Sequence, residues 1–388
     1  MNLDIDIVFF SNFLNHHQVP VADELYRLTG GRYVFVETIA MPESFRKNGY
    51  PTYDDKPYLL KAYESESKHA EAVLIATKAK VAVFAGYESL PYQRLRKKKD
   101  ILSFSMSERF FKKGLLNLLS PRLLAEIWYY FIEFRNKTTY KLCCSAYTAS
   151  DLNKILMYKD RCYKWGYFTG INDFSEQETE TVTKQNRNNT PTILWCARFI
   201  SWKHPEYVVH LARMLKDAGY FVKIDMIGEG IEEKNISKMC KSLGVEDMVT
   251  LLGSMPNKKV LQQMREHDMF LFTSDRNEGW GAALNEAMSS GCAVVASDEI
   301  GAVPFLVKDG ANGFTFKSKN LNSLYEKVVT LIDNPEKRKA MAIQAYNDMQ
   351  NIWSPKIAAR NLLQLIDDLQ NGRDSSITEG PCSKAYPI

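Results

Sequence analysis

The sequence has no long apolar run and few cysteines, and each absence excludes a class of protein. In 388 residues, no stretch of about 18 consecutive apolar residues occurs, which excludes a membrane-spanning helix of normal length. The start, MNLDIDIVFF, has neither a basic region nor a small-residue cleavage site, so we expect no secretory signal. The seven cysteines include no C-x-x-C pair, which argues against a zinc or redox motif. They predict reduced thiols in the core of a cytoplasmic protein.

Length and composition predict a globular protein with two domains. Apolar residues make up 45% of the chain and charged residues 25%, as in proteins with a full core. Because single cores stop growing beyond roughly 250 to 300 residues, a chain of this length is expected to divide into two.

Short apolar runs alternate with helical stretches along most of the chain. The predicted strands span 5–10, 33–38, 81–85, 101–105 and 142–145, then 192–197, 222–227, 248–253, 269–273 and 293–297. The predicted helices of the second half lie near 205–219, 231–243, 257–266 and 282–290. This alternation predicts βαβ units with parallel sheets, and the polar stretch after Phe174 is the expected linker. The fold class is therefore α/β, with two Rossmann-like doubly wound domains facing a cleft.

The end of the chain is predicted to contain two helices and a tail. The pattern is helical from Pro335 to Gln350, breaks at Ser354-Pro355 and resumes to about Leu369. The last residues, NGRDSSITEGPCSKAYPI, are predicted to form a mobile tail.

The sharpest chemical signal lies where a strand ends and a helix is predicted to open at Gly279-Trp280-Gly281. Free N–H groups at such a helix start favour phosphate or sugar oxygens. Glu278 precedes the glycines, and Glu286 follows eight residues later, about 80 degrees away but within one broad helical face. One carboxylate could then reach a sugar and the other a ribose. In the alternative interpretation, Glu278 is only a charge favoured at a helix N-terminus and Glu286 is an exposed acid.

The segment E-G-W-G-x-x-x-x-E, followed by small residues and an apolar strand, resembles the E-x7-E motif of family-four retaining glycosyltransferases with the GT-B fold. A second match is ARFISWKHPE, where Arg198 and Lys203 lie five residues apart after a strand. The resemblance implies that this pair grips the donor diphosphate, that Glu278 orients the donor sugar and that Glu286 contacts the nucleotide ribose. An arginine fork and a mobile lysine suit negative charge growing on a leaving phosphate. The alternative is a solvated surface pair.

The resemblance covers about residues 190 to 320 well and extends to two further turns. IGEG (227–230) and LLGSM (251–255) are similar to donor-contacting turns of the family. The implied donor-binding residues are Gly228, Gly230, Gly253, Ser254, Gly279, Trp280, Gly281 and Glu286. The implied domains are an acceptor-binding domain over 1–180, a nucleotide-sugar-binding domain over 190–350, and a helix and tail over 353–388 that cross back to the first domain.

The first half departs from the family pattern after its first strand. The loop SNFLNHHQVP stands where many relatives carry glycines that admit the donor phosphates. His16 and His17 could contact acceptor or phosphate, or be plain solvated polar residues. Many relatives also carry a histidine after a later strand that touches the donor sugar, and this sequence shows none there. Its role is either absent or taken over by Glu108 and Arg109, which are further candidates for acceptor or phosphate contacts.

No metal and no cofactor are expected, since the substrate that the resemblance implies is itself a nucleotide diphosphate sugar. Asp4 and Asp6 have the spacing of a metal-binding pair, but no phosphate loop surrounds them, so chance is the better explanation. With Arg198 and Lys203 neutralising the phosphates, no divalent ion is required.

The stretch from Arg94 to Lys141 carries twelve basic residues against four acids. Its cations are interleaved with apolar residues, namely Phe110, Phe111, Leu115, Leu116, Trp128, Tyr129 and Phe131. This mixture suits a peripheral contact with an anionic membrane, and a core helix with a solvated basic edge is the alternative. Nucleic acid is not favoured, because no binding module accompanies the charge.

The resemblance implies a retaining, metal-independent transferase that moves a sugar to a glycan or lipid-linked acceptor. NHHQVP, YKWGYF and GPCSKAYP resemble bacterial enzymes of surface polysaccharide synthesis, such as O-antigen or capsule. A cytoplasmic protein, peripheral on the inner face of the membrane, is expected. Two alternatives stay open: a GT-B sugar-nucleotide epimerase, which needs no acceptor, and a non-catalytic nucleotide-sugar-binding scaffold, which would tolerate loss of Glu278.

Overall fold

The computed structural model describes residues 4–43, 45, 50–96, 100–112, 114–133, 138–170 and 190–388. The chain divides into two compact units. Unit 1 comprises Met1–Gly170 with Trp353–Ile388, and unit 2 comprises Ile171–Ile352. The expected linker after Phe174 falls largely outside the described residues.

Unit 1 is built on a parallel sheet of seven strands. They are β1 (Ile7–Ser11), β2 (Tyr33–Glu37), β3 (Leu59–Lys61), β4 (Val81–Ala85), β5 (Ser103–Ser107), β6 (Thr139–Cys143) and β7 (Cys162–Lys164). The order across the sheet is β3-β2-β1-β4-β5-β6-β7. β1 and β4 are buried at every position, because a parallel sheet is covered on both faces.

The helices of unit 1 follow the strands in the expected alternation. They are α1 (Val19–Leu28), α2 (Glu66–Lys78), α3 (Leu90–Arg94), α4 (Pro121–Trp128) and α5 (Tyr147–Lys154). Ser65 caps α2 by accepting a hydrogen bond from the Lys68 amide, as a serine before a helix commonly does.

Unit 2 repeats the same design with six parallel strands. They are β8 (Thr192–Cys196), β9 (Lys223–Ile227), β10 (Val249–Gly253), β11 (Met269–Phe272), β12 (Ala293–Ser297) and β13 (Phe314–Phe316), in the order β10-β9-β8-β11-β12-β13. The helices are α6 (Pro205–Asp217), α7 (Glu233–Leu243), α8 (Asn257–Glu266), α9 (Ala282–Ser289), α10 (Val303–Leu306), α11 (Leu321–Asp333) and α12 (Pro335–Asn351). Two doubly wound α/β domains are confirmed, as are the ten predicted strands to within a few residues.

The end of the chain is packed and not a free tail, so that expectation was wrong. Helix α13 (Pro355–Gln370) starts after the predicted break, with Ser354 as its cap. The residues beyond it run along β7, where the Lys164 amide donates to Ser383 and the Cys382 amide donates to Lys164. Cys382 is fully buried. Backbone pairing to an edge strand, which has no local sequence signal, holds this segment in unit 1.

Part of the basic stretch is internal. Arg96 is buried and its guanidinium donates to the carbonyls of Ala76, Ala79, Lys80 and Leu102. Lys141 is also buried, with Nζ 3.0 Å from Ser105 Oγ. Phe111, named above among the apolar residues of the stretch, lies in the core. Lys97, Lys98, Lys99, Lys113, Arg135 and Lys137 lie outside the described residues. Among the described helices, none combines the length and apolarity that a membrane crossing requires.

Candidate functional site

The predicted donor-binding residues lie at or beyond the carboxyl ends of β9, β10 and β11 in unit 2, and Glu286 lies within the helix α9 that follows β11. β8 lies between β9 and β11, and all three run parallel, so their carboxyl ends meet at one edge of the sheet. The chain leaves β8 toward β9 on one side and reaches β11 on the other. This is the switch point of a doubly wound sheet, where ligands bind.

Two glycines after β9 are required by the backbone that passes beside them. Gly228 has φ of +136°, and a Cβ built there would lie 2.0 Å from the Ala197 carbonyl oxygen. Gly230 has φ of +157°, and its Cβ would lie 2.4 Å from the Phe199 carbonyl oxygen. The Gly228 amide donates to Gly253 at the end of β10 over 2.9 Å. The turns after β8, β9 and β10 are therefore packed backbone to backbone.

The structure places Arg198 and Lys203 at one indole ring and pairs Lys203 with Glu278. The Lys203 Nζ lies 4.4 Å from the centre of the Trp202 ring, and the Arg198 guanidinium carbon lies 5.9 Å from it. Lys203 also forms an ion pair with Glu278, and both side chains are largely buried. An aromatic face stabilises adjacent cations and holds them in position. Trp202 was missed by the sequence analysis, although an aromatic residue between two cations was a visible signal.

The loop that carries Glu278 is anchored to the segment that carries Lys203. The Asp275 amide donates to the Trp202 carbonyl over 3.0 Å, and the Glu278 amide donates to the Asp275 carbonyl over 3.0 Å. Thr273 donates from Oγ1 to the Lys203 carbonyl over 2.6 Å. Backbone bonds therefore set the position of the ion pair from both sides.

Helix α9 starts at Ala282, as the predicted range 282–290 has it, and not at Gly279-Trp280-Gly281, where the helix was also expected to open. Gly281 caps it with φ of +97°, and a Cβ there would lie 2.6 Å from the Phe272 ring. Because Gly279-Trp280-Gly281 lies outside the helix, the expected alignment of Glu278 and Glu286 on one helical face does not apply. The Trp280 side chain is fully buried, and its indole N–H donates to Asn285 Oδ1 over 2.8 Å. Only backbone atoms of Trp280 are therefore available to contact a ligand.

Glu286 lies in a buried position at the same edge. Its Oε1 accepts a hydrogen bond from Asn257 Nδ2 at the start of α8, over 3.0 Å. Burial raises the pKa of Glu286. Burial and then the nearby Glu286 raise the pKa of Cys196, at the end of β8, to about 12. Glu286 therefore stands beside the turns after β8 and β10.

His204 is a second residue that the sequence analysis missed. Its backbone φ is +51°, which is uncommon for a residue other than glycine, and it directly precedes α6. Its Nδ1 lies 2.7 Å from Glu206 Oε1, and its Nε2 lies 3.5 Å from Asp275 Oδ2. Hydrogen bonding to Glu206, together with the charge of Asp275, raises the pKa of His204. Through its contacts with Glu206 and Asp275, His204 links the Lys203 segment to the Glu278 loop.

Replacing His204 with asparagine is expected to lower stability more at pH 6 than at pH 9. Asparagine tolerates positive φ, so the change removes mainly the charge. Because the pKa of His204 is higher in the folded than in the unfolded state, its charge contributes fully to stability below the unfolded-state pKa. This contribution is lost as the pH rises through the folded-state pKa. At pH 6 we expect a loss of about 1.5 kcal/mol, by analogy with other charged hydrogen bonds. Urea unfolding of His204→Asn and wild type at both pH values measures this loss of unfolding free energy. An equal loss at pH 6 and pH 9 would contradict a stabilising charge on His204.

In unit 1, two of the four remaining candidates line a pocket and two do not. His17 and Glu108 line a pocket of about 360 Å³. Glu108 accepts from the Tyr167 hydroxyl over 2.8 Å and from Lys112 over 2.7 Å. His16 lies beside His17, with the ring centres 3.7 Å apart. Arg109 is nearly buried and turns to Asp151, with Nη2 3.5 Å from Oδ1, so a structural role is the better interpretation.

Asp4 and Asp6 belong to a surface ion-pair group. Arg32 and Lys80 each lie within 4.0 Å of both carboxylates. Among the described residues, no three His, Cys, Asp or Glu side chains are grouped so as to hold a metal ion.

Residues 176–348 match the family model described as "Glycosyl transferases group 1". An alpha-D-kanosaminyltransferase of Streptomyces kanamyceticus is 25% identical over 191 residues, 48% of this chain and 49% of that protein. An N-acetylgalactosamine-N,N'-diacetylbacillosaminyl-diphospho-undecaprenol 4-alpha-N-acetylgalactosaminyltransferase of Campylobacter jejuni is 28% identical over 145 residues, 37% of this chain and 39% of that protein. The chain thus spans half or less of the length of these curated relatives. The predicted resemblance to this group of glycosyltransferases is confirmed.

The fold is shared with solved structures over nearly the whole chain. The Anabaena protein HepE, solved in complex with UDP, superposes with a TM-score of 0.69 at 16% identity, over 95% of this chain and 100% of that one. The predicted GT-B fold class is confirmed.

Proposed function

We propose, from the match of residues 176–348 to the group 1 glycosyltransferases, that this protein moves a sugar from a nucleotide diphosphate sugar to a glycan or lipid-linked acceptor. The observation that carries the proposal is the grouping of Arg198, Lys203 and Glu278 at the switch point of the unit 2 sheet. Two cations at one ring, one of them paired with a carboxylate, suit a donor that joins a diphosphate to a polyhydroxylated ring. An epimerase and a non-catalytic scaffold are not favoured.

Each residue of the site has a role in this proposal. Arg198 and Lys203 bind the diphosphate, and the N–H groups at the start of α9 face the same negative charge. Glu278 orients hydroxyls of the donor sugar once the diphosphate draws Lys203 away from it. Glu286, whose Asn257 partner lies at the β10 turn, accepts a hydrogen bond from the ribose.

The reaction breaks the bond between the anomeric carbon and the phosphate oxygen, whose electron pair leaves with the nucleoside diphosphate. The acceptor hydroxyl forms the new bond on the face that the phosphate leaves, so the configuration is retained. Its proton passes to the departing phosphate, and no side chain is assigned as general base. Arg198 and Lys203 stabilise the charge that grows on the leaving group, which supports transfer without a divalent ion.

The test is release of nucleoside diphosphate from a panel of nucleotide sugars, with and without a bacterial lipid extract. We expect release from one donor that requires the extract, persists in EDTA and is lost in Glu278→Gln. Proton NMR of the product then reads the anomeric configuration. Release without acceptor, accompanied by an epimerised donor, would favour the epimerase. Normal donor binding with no release under any condition would favour the scaffold.

The protein also binds an anionic membrane surface in this proposal, at the inner face of the cytoplasmic membrane during surface polysaccharide synthesis. An apolar surface around α4 supports this. Its side chains are between 37% and 77% exposed and are Leu116, Leu119, Leu124, Trp128, Phe131 and Ile132. Arg94 and Arg122 lie beside it, each over a tyrosine ring. Exposed apolar side chains flanked by cations suit the headgroup region of an anionic bilayer.

Flotation with vesicles tests the membrane contact. The protein is expected to float with vesicles that contain phosphatidylglycerol and far less with pure phosphatidylcholine. The double variant Leu119→Ser, Trp128→Ser should reduce the bound fraction at least roughly tenfold, since each side chain loses apolar burial. Ile231→Ser, at an 81% exposed position of unit 2, is the matched control. Equal flotation of both variants would overturn the assignment of this surface.

A further inference from the structure

The pocket of about 360 Å³ in unit 1 has the lining of a small-molecule site. It lies at the carboxyl ends of β1 and β4, the two central strands where the chain switches direction across the sheet. Its lining includes the polar residues Asn12, Asn15, His17, Gln18, Glu108 and Glu126. Its volume falls within the roughly 300–1,000 Å³ of small-molecule pockets.

The charge of the lining is negative. Glu108 and Glu126 both line the pocket, and among the described residues that line it there is no lysine or arginine. Lys112 pairs with Glu108 over 2.7 Å, whereas Glu126 has no ion-pair partner in the described part of the chain. Like charges brought together in a recognition site cost several kcal/mol. A phosphate or carboxylate would therefore be repelled here.

The histidine of the pocket does not offset this charge. Burial, and then the neighbouring His16, lower the pKa of His17 to about 3, so its ring is neutral at physiological pH. The ring stacks on Tyr167 with 5.9 Å between centres and 8° between planes. It supplies hydrogen-bonding atoms and an apolar face without positive charge.

Two buried polar atoms in this lining lack a partner among the described residues. They are His17 Nδ1 and Gln18 Oε1. A buried polar group left unpaired is costly, so such atoms commonly serve water or a ligand. Asn12 and Asn15 use their side-chain oxygens to accept from the backbone of their own loop, at 2.9 Å and 3.0 Å. These bonds hold the loop in shape, and both asparagines line the same pocket as His17 and Gln18.

We infer that this pocket binds an uncharged, hydroxyl-rich sugar ring, with Glu126 and Gln18 accepting from its hydroxyls, and that it excludes phosphorylated and other anionic sugars. The inference rests on the proposed function, in which this ring is the end of the acceptor. Of the two ligand contacts expected for His17, the inference therefore favours the acceptor over a phosphate. The acceptor sugar bound here carries no phosphate group.

Saturation-transfer NMR on the full chain without donor tests the inference. The probes are methyl glycosides of neutral hexoses and N-acetylhexosamines, set against glucose 6-phosphate and methyl glucuronide. We expect at least one neutral glycoside to bind and the anionic sugars not to bind. Gln18→Ala and Glu126→Gln should each weaken binding about fivefold or more, as for a lost hydrogen bond to a charged or buried group. Glu71→Gln, on α2 and away from the lining, is the matched control.

Two further arms separate this site from the proposed donor site. Binding of the neutral glycoside should survive in Glu278→Gln, which alters unit 2 alone, and nucleotide binding is measured on the same samples. Stronger binding of the anionic sugars than of the neutral glycosides would overturn the inference. Equal glycoside binding by Gln18→Ala, Glu126→Gln and the control Glu71→Gln would also overturn it. Loss of glycoside binding to every sample with nucleotide binding intact would also overturn it and leave the proposed function standing. Glycoside binding without nucleotide binding would support the pocket and count against the proposed function.

Discussion

Lys203→Met is expected to reduce the rate of sugar transfer by about 100- to 1,000-fold, as removal of one preorganised charge-stabilising group does in other enzymes. Methionine keeps much of the length and packing of lysine beside Trp202 but removes the ammonium group. In the structure this group is paired with Glu278 and lies over the indole ring. The charge that stabilises the leaving diphosphate would be lost, and Glu278 would lose its partner. Initial rates of nucleoside diphosphate release, at saturating and at low donor, measure the effect on kcat and kcat/KM.

Lys216→Met is the control for this change. Lys216 lies near the other end of α6 and pairs with Asp247 over 2.8 Å on the surface. Exposed pairs of this kind contribute between 0 and about 1 kcal/mol to stability. The control should therefore transfer sugar at the normal rate. Equal loss in both variants would indicate general damage, and normal activity in Lys203→Met would remove Lys203 from the chemistry.

Gly228→Ala is expected to destabilise the protein by roughly 3 kcal/mol or more, from backbone strain and steric overlap together. The new Cβ would lie 2.0 Å from the Ala197 carbonyl oxygen, and a backbone atom cannot swing aside as a side chain does. The φ of +136° adds strain for any residue other than glycine. Urea unfolding measures the loss, and nucleotide binding should fall with it because the β8 and β9 turns must separate.

Gly253→Ala, at the end of the neighbouring β10, separates steric overlap from strain. Gly253 has φ of +68°, and a Cβ there would meet nothing within 4 Å. Only the cost of the left-handed conformation applies, about 1 to 2 kcal/mol. A much larger effect at Gly228 than at Gly253 is therefore expected. Similar losses would mean that the close approach of the turns after β8 and β9 does not constrain the site.

Much of the fold was predictable because it follows local apolar patterns. Strands such as β4 and β12 are buried at every position and are therefore visible in the sequence as short, largely apolar runs. β3, β7 and β13 were missed because three residues are too few to show a period. The packed end of the chain was missed for a different reason. Its order depends on pairing with β7, more than 200 residues earlier in the sequence, which no local pattern records.

The part of the candidate site that motif spacing and family resemblance indicate could be predicted from the sequence. Both pointed to Arg198, Lys203 and Glu278, and the structure places these three together. Trp202 was missed although the two cations at its ring, Arg198 and Lys203, lie in its own segment. His204 was missed because its contact with Asp275 depends on a residue from another segment. The contact of Arg109 with Asp151 was not predictable, because Asp151 lies on α5, 42 residues away. Contacts that are distant in sequence decide whether a charged residue serves a ligand or the fold.

The central claim is that the edge of the unit 2 sheet around Lys203 binds a nucleoside diphosphate, and calorimetric titration tests it most directly because it needs neither acceptor nor turnover. UDP, ADP, GDP and dTDP are titrated into the wild-type protein, Lys203→Met and Lys216→Met. We predict that one of them binds the wild type and Lys216→Met equally, and binds Lys203→Met at least about tenfold more weakly, a difference of about 1.4 kcal/mol. Absence of binding by all four, or the same affinity in Lys203→Met, would contradict the claim.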